Sequence, residues 1–209
     1  MSRRQYAIHE SYEGITPFFG LLSRLFESRA RSKSLRLSAM QDGGTMLIVA
    51  PPTEFFIEHL LTLNANGDSH LLYFSDVMKE RATTRLGDRY SYTTSVGRPD
   101  ALPYASDTFH TVFAYCYFDF LTRDERGPAS NEIWRVLRRG GRLLTTYLAH
   151  PRGVVQRACV ATTLSLPVLS KGLHALELRP VLERTGFDPI EIVPCPQKGL
   201  PVDLAGAQK

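Results

Sequence analysis

Apolar residues recur along the chain with more than one period, and the changes of period mark its elements. From Tyr12 to Met40, "YEGITPFFGLLSRLFESRARSKSLRLSAM" repeats Phe and Leu every three or four residues among arginines. That spacing predicts one or two amphipathic helices, stopped at Asp42-Gly43-Gly44. "MLIVA" at 46–50 is apolar throughout and predicts a strand buried on both faces. A helix from Pro52 to Leu63 and a turn at "NANGD" follow. The alternation then repeats, with strand "HLLYF" (70–74), helix "DVMKERATTRL" (76–86) and strand "YSYTTSV" (90–96). After the loop "DALPYASDTF" come strand "HTVFAYCYF" (110–118) and helix "RDERGPASNEIWRVLRR" (123–139). Gly140 and Gly141 are expected to end that helix before a fifth strand, "RLLTTYLA" (142–149).

Successive strand–helix units imply right-handed crossovers and a parallel sheet covered on both faces. After His150 the pattern changes. "GVVQRACVATTLSLPVL" is apolar and reads as a helix, "ELRPVLERTGF" as a helix closed by Gly186, and "PIEIVP" and "LPVDLAGAQ" as strands. Only "CPQKG" separates these two strands, so a hairpin is expected and the last strand should run antiparallel to the rest. The expected organisation is one domain over 1–209, with an N-terminal helical cap at 1–41 and an apolar helical insertion at 151–175.

Composition narrows the class. The chain has 209 residues, 43% hydrophobic and 22% charged, enough for one sizeable core. The net charge of +4 is spread over basic clusters at 24–36 and 135–142, which read as solvated helix faces. Cys116, Cys159 and Cys195 form no C-x-x-C pair, which argues against a zinc site or a disulfide framework and suits a reducing compartment. "MSRRQYAIHESYEG" lacks the apolar centre of a signal peptide, and no apolar run approaches a membrane span. A soluble, cytoplasmic protein is expected.

Two stretches now carry weight. "ALPYASDTFHTVFAYCYFDFL" runs from Leu-Pro-aromatic through a polar loop to a Phe and an apolar strand. "NEIWRVLRRGGRLL" is a helix with Ile133, Trp134 and Leu137 turned inward, then Gly-Gly and a strand. Together with the element order, they resemble the class I S-adenosylmethionine-dependent methyltransferases, of the ubiquinone/menaquinone-biosynthesis type. The resemblance implies an α/β Rossmann-like fold: a seven-stranded, mostly parallel sheet with an antiparallel last strand and helices on both faces. It also implies a cofactor lying across the carboxyl ends of the first strands.

The positions that would hold that cofactor depart from the family's pattern. Where the family carries G-x-G-x-G after the first strand, this chain has Ala50, Pro52 and Glu54, and the preceding acidic position holds Ile48. Pro52 removes an N–H donor and fixes φ, where glycine would let a ligand approach the backbone. Glu54 would set a carboxylate close to where the cofactor's own carboxylate belongs, although as the start of a helix both residues are favourable. At the end of strand two, Tyr73 stands where the family has a carboxylate for the ribose hydroxyls, with Asp76 three residues on. After strand three, Arg98 stands where an acid meets the adenine amino group, with Asp100 two residues on. His110 replaces the common Asp at the start of strand four. If each lost contact costs about 1–3 kcal/mol, four cost about 4–12, against about 8 for a micromolar ligand.

The expected function is therefore a methyltransferase-like protein without a working S-adenosylmethionine site, acting as a binding module or as the partner of another protein. The alternative is an active S-adenosylmethionine-dependent methyltransferase on a small apolar substrate, with His110, His150 or Asp119 as candidate bases. Residues 154–169 with Phe18, Phe19 and Phe26 could cover an apolar ligand, and Tyr115, Cys116 and Tyr117 could line its pocket. An aromatic helix face could equally mark a homodimer surface. No metal or nucleic-acid partner is expected.

Overall fold

The structure, a computed structural model, describes residues 28–38, 40, 42–49, 54–165 and 174–209. Side chains at 28, 29, 31, 32, 54 and 55 lie outside that description. The elements begin with α1 (Ser28–Ser38), β1 (Thr45–Val49), α2 (Glu54–Leu63), β2 (Asp68–Tyr73), α3 (Asp76–Leu86) and β3 (Thr93–Val96). They continue with β4 (Phe109–Phe113), α4 (Arg123–Val136), β5 (Leu137–Leu148) and α5 (Val154–Leu164). The last three are α6 (Arg179–Thr185), β6 (Ile190–Pro194) and β7 (Val202–Gln208).

The seven strands form one sheet in the order β3-β2-β1-β4-β5-β7-β6. The β1–β2, β1–β4, β2–β3 and β4–β5 pairings are parallel, whereas β7 runs antiparallel to both β5 and β6. The Rossmann-like sheet with its reversed last strand is thus the one expected from the sequence. β1 sits at its centre, and Leu47, Ile48 and Val49 are fully buried because both faces of a parallel sheet are covered. Each such side chain contributes about 1.5–3 kcal/mol of burial. α1 packs on β5 and β7, with Leu37 against Gly206 and Ala30 beside Cys195 and Leu204. The described part of the N-terminal segment therefore covers the sheet; residues 1–27, with Phe18, Phe19 and Phe26, lie outside the described residues.

Helix starts follow local chemistry. Ser75 caps α3 by accepting the Met78 N–H at 3.2 Å. At the start of α4, the Glu125 carboxylate accepts the Thr122 N–H at 2.9 Å and its hydroxyl at 2.8 Å.

Three boundaries differ from expectation. Gly140 and Gly141 do not stop the helix: α4 ends at Val136 and β5 begins at Leu137. The glycines build an irregularity inside the strand, where the register to β4 shifts between Phe109 and Thr111. Gly140 takes φ +75°, and a Cβ on Gly141 would lie 2.8 Å from the Arg138 carbonyl and 3.0 Å from that of Phe109. Consequently Leu137, Arg138 and Arg139 belong to a strand and not to a helix face. β4 ends at Phe113, short of the expected 118, because Cys116 adopts φ +48° and the chain turns into a 3-10 turn at Phe118–Phe120. β3 starts at Thr93, not Tyr90.

Gly141→Ala should lose about 1–3 kcal/mol of stability, because backbone carbonyls on two sides must move to admit the methyl group. Urea denaturation of the two proteins checks this, and an unchanged midpoint would contradict it.

Candidate functional site

β1, β2, β3 and β4 all end on one edge of the sheet, and the strand order reverses direction between β1 and β4. Open α/β sheets form their ligand crevice there. Ala50 and Pro52 lie outside the described residues; Glu54 opens α2, with its side chain also outside them. Tyr73 is the last residue of β2 and is buried. Its carbonyl accepts the Gly97 N–H at 3.0 Å, which sets Arg98 at the neighbouring strand end. Tyr73 and Arg98 are thus brought to the same edge, beside the end of β1. Asp76 is not: it sits in the first turn of α3, exposed and paired with Lys79 at 3.2 Å.

Arg98 is already engaged. Its Nε and one Nη donate to the two carboxylate oxygens of Asp100 at 2.9 and 2.6 Å, a bidentate pair. These hydrogen bonds hold the Asp100 carboxyl below the usual carboxylate range.

Aromatic side chains occupy the middle of the edge. The Phe74 and Tyr117 rings stack with centroids 5.8 Å apart, and the Phe56 ring meets the edge of Tyr115 at 4.7 Å. The Tyr117 hydroxyl donates to the Pro99 carbonyl at 3.4 Å. Burial, then the nearby carboxylates of Asp100, Glu132 and Glu125, push the Tyr117 phenol well above its ordinary pKa, so it stays a neutral donor. Tyr115 and Tyr117 are buried and Cys116 half-buried, so side chains from the ends of β2 and β4 and from the loop after β3 pack on one another.

A pair missed in the sequence fixes that loop. Glu132 accepts the Leu102 N–H at 2.8 Å, while Arg135 donates to the carbonyls of Tyr104 (2.8 Å) and Leu102 (3.1 Å). The two side chains also pair with each other at 2.7 Å. Their spacing of three on one helix was a readable signal, but their partners are backbone groups some 30 residues away.

The other candidate bases are scattered. His110 lies at the opposite edge, at the start of β4, and its Nδ1 accepts the Thr45 N–H at 3.1 Å. His150 is exposed after β5. Among the described residues, no cluster of His, Cys, Asp and Glu is placed to hold a metal ion, and no helix is long and apolar enough to cross a membrane.

Comparison with known proteins agrees with this geometry. Residues 49–145 match the family described as "Methyltransferase domain". Solved structures similar to this chain include a chain of the complex between the Haloferax volcanii Trm112 methyltransferase activator and a methyltransferase, with a TM-score of 0.75 and 14% identity over 96% of both chains. A SAM-dependent methyltransferase from Thermotoga maritima gives 0.68 and 15% over 95% of this chain and 99% of that one. The 4+2 cyclase SpnF gives 0.70 and 15% over 96% and 94%. No curated protein matches the sequence.

Within residues 49–145, the most perturbed carboxyl is Asp119, just beyond β4. It is fully buried; Oδ1 accepts the Leu148 N–H at 2.5 Å and Oδ2 has no hydrogen-bond partner among the described residues. Burial raises its pKa from 3.8 to about 7, against the Leu148 hydrogen bond and the Arg126 charge, which lower it. The Asp119 carbonyl also accepts the His174 N–H at 3.2 Å, and that of Leu148 the Leu176 N–H at 2.9 Å. Asp119 therefore ties the end of β5 to the chain returning from the α5 region.

A carboxyl whose pKa is higher in the folded state keeps its proton longer there than when unfolded. Its contribution to stability is fully present below the unfolded value and is lost as pH rises from about 4 to about 7, a decline of about 4 kcal/mol. Asp119→Asn keeps the acceptor for Leu148 but cannot ionise, so its stability should fall much less over that range. Denaturant titrations at both ends of the range test this, and parallel pH profiles for the two proteins would refute it.

Proposed function

We propose that this methyltransferase-fold protein does not hold S-adenosylmethionine in the manner of its fold relatives and acts without methyl transfer, as a binding or partner protein. The observation that carries this is the packed aromatic group across the carboxyl edge, Phe56 on Tyr115 and Phe74 on Tyr117. Such ring pairs contribute about 0.5–1.5 kcal/mol each beyond their buried area, so opening them for a nucleotide has a cost.

The residues at the contact positions do not fit the cofactor either. A buried phenol at Tyr73 cannot accept from two ribose hydroxyls as a carboxylate does. Arg98 offers only donors where the adenine amino group also donates, and both oxygens of neighbouring Asp100 are taken by Arg98. Ala50, Pro52 and Glu54 supply none of the glycines that close approach to a nucleotide uses.

The fold does not oblige methyl transfer, since SpnF, a cyclase, shares it. Its occurrence in a complex between a methyltransferase and its activator supports a protein partner for this chain. The match of residues 49–145 favours the second reading, an active S-adenosylmethionine-dependent enzyme on a small apolar substrate with a rebuilt site.

Calorimetric titration separates the two. S-adenosylmethionine and S-adenosylhomocysteine should show no micromolar binding to the intact chain. Pro52→Gly with Glu54→Gly should not restore it, because Tyr73 and Arg98 remain. Micromolar binding by the wild type would favour the second reading, and tight binding by the double variant would contradict the roles given to Tyr73 and Arg98.

A further inference from the structure

At the edge opposite the crevice, where β1 and β4 begin and β7 ends, lies a cavity of about 430 Å³. That is within the range of about 300–1,000 Å³ typical of small-molecule sites. Its wall includes Arg138 and Arg142 from β5, His110 from β4, and Asp42 and Asn64.

The state of each group defines what would fit. His110 accepts the Thr45 N–H at Nδ1, so in the neutral ring Nε2 carries the proton and is a donor. Burial first, and then the positive charge of Arg138, lower the His110 pKa and keep the ring in that form. Arg138 is exposed and makes no hydrogen bond or ion pair with the described residues. Arg142 donates through one Nη to the Leu37 carbonyl at 2.7 Å, and its remaining N–H groups have no partner among the described residues. Asp42 keeps one negative charge on the wall but makes no ion pair with either arginine among the described residues. Its carboxylate oxygens accept the Asn66 N–H at 2.9 Å and the Asn66 side-chain amide at 2.6 Å, so the two guanidinium groups leave the lining net positive.

Asn64 is 2% exposed. Its amide nitrogen donates to the Gly44 carbonyl at 2.9 Å and the Ser69 hydroxyl at 3.1 Å. That fixes its orientation, and Oδ1 is itself buried, so the amide holds the wall in place and offers no acceptor to the cavity. Two guanidinium groups and an imidazole N–H on the wall of one hollow match the oxygens of a phosphate. We propose that this cavity binds a small phosphomonoester, with Arg138, Arg142 and His110 Nε2–H on the phosphate. The site is independent of the carboxyl-edge crevice and of whether that crevice holds a nucleotide.

The test uses inorganic phosphate and glycerol 3-phosphate as probes, at constant ionic strength against chloride. Both should raise the melting temperature saturably at millimolar concentration and should shift the His110 ring resonances. Arg138→Gln, which removes an exposed side chain, should weaken both probes by about tenfold, the size expected for one charged hydrogen bond. Arg184→Gln on α6 makes the same change of net charge and should leave binding unchanged. No saturable rise, equal weakening by both variants, or a response to RNA oligonucleotides without one to glycerol 3-phosphate would each overturn the proposal.

Discussion

Tyr117 is the residue on which the functional edge of this protein turns. Its ring stacks on Phe74 from β2, its hydroxyl reaches the Pro99 carbonyl in the loop after β3, and its backbone continues β4 into the turn that carries Asp119. Three segments that would flank a ligand are thereby joined to one another. Cys116, at φ +48°, makes this arrangement, because a strand continuing through 118 would send neighbouring side chains to opposite faces. Instead the Tyr117 and Phe118 rings meet edge to face, with centroids 5.0 Å apart. The backbone cost of the left-handed residue is offset by the aromatic packing that follows it.

The same edge is braced from below by Glu132 and Arg135, which bind backbone groups of the Leu102–Tyr104 stretch. It is braced from the side by Asp119, which links β4, β5 and the chain after α5. One fold thus carries two contrasting edges. The carboxyl edge carries stacked and edge-on ring pairs, whereas cationic side chains line a hollow at the amino edge.

Much of the scaffold was legible in the sequence. Apolar runs separated by helical periods gave the parallel strands, and the short "CPQKG" between the last two gave the hairpin that reverses β7. Tyr73 is the last residue of β2, and the Gly97 N–H on its carbonyl sets Arg98 at the neighbouring strand end. The Gly140–Gly141 step was misread because a helix stop and a strand irregularity leave the same local signature; only the crowding by the Phe109 carbonyl distinguishes them. β4 was overextended because "YCYF" has high strand propensity, and the turn at Cys116 is imposed by packing. The Glu132–Arg135 brace and the amino-edge cavity were unreadable for a common reason. Their parts come from segments far apart in the chain, and many of the partners are backbone atoms that carry no residue code.

The central claim is that aromatic side chains now occupy the space above β1, β2 and β4 that a sulfonium nucleotide would need. A crystal structure determined in saturating S-adenosylmethionine tests it most directly. The account predicts no nucleotide density beside residues 50–54 and an undisturbed Phe74–Tyr117 stack. A nucleotide seated there, with its sugar near Tyr73 and its base near Arg98, would contradict it.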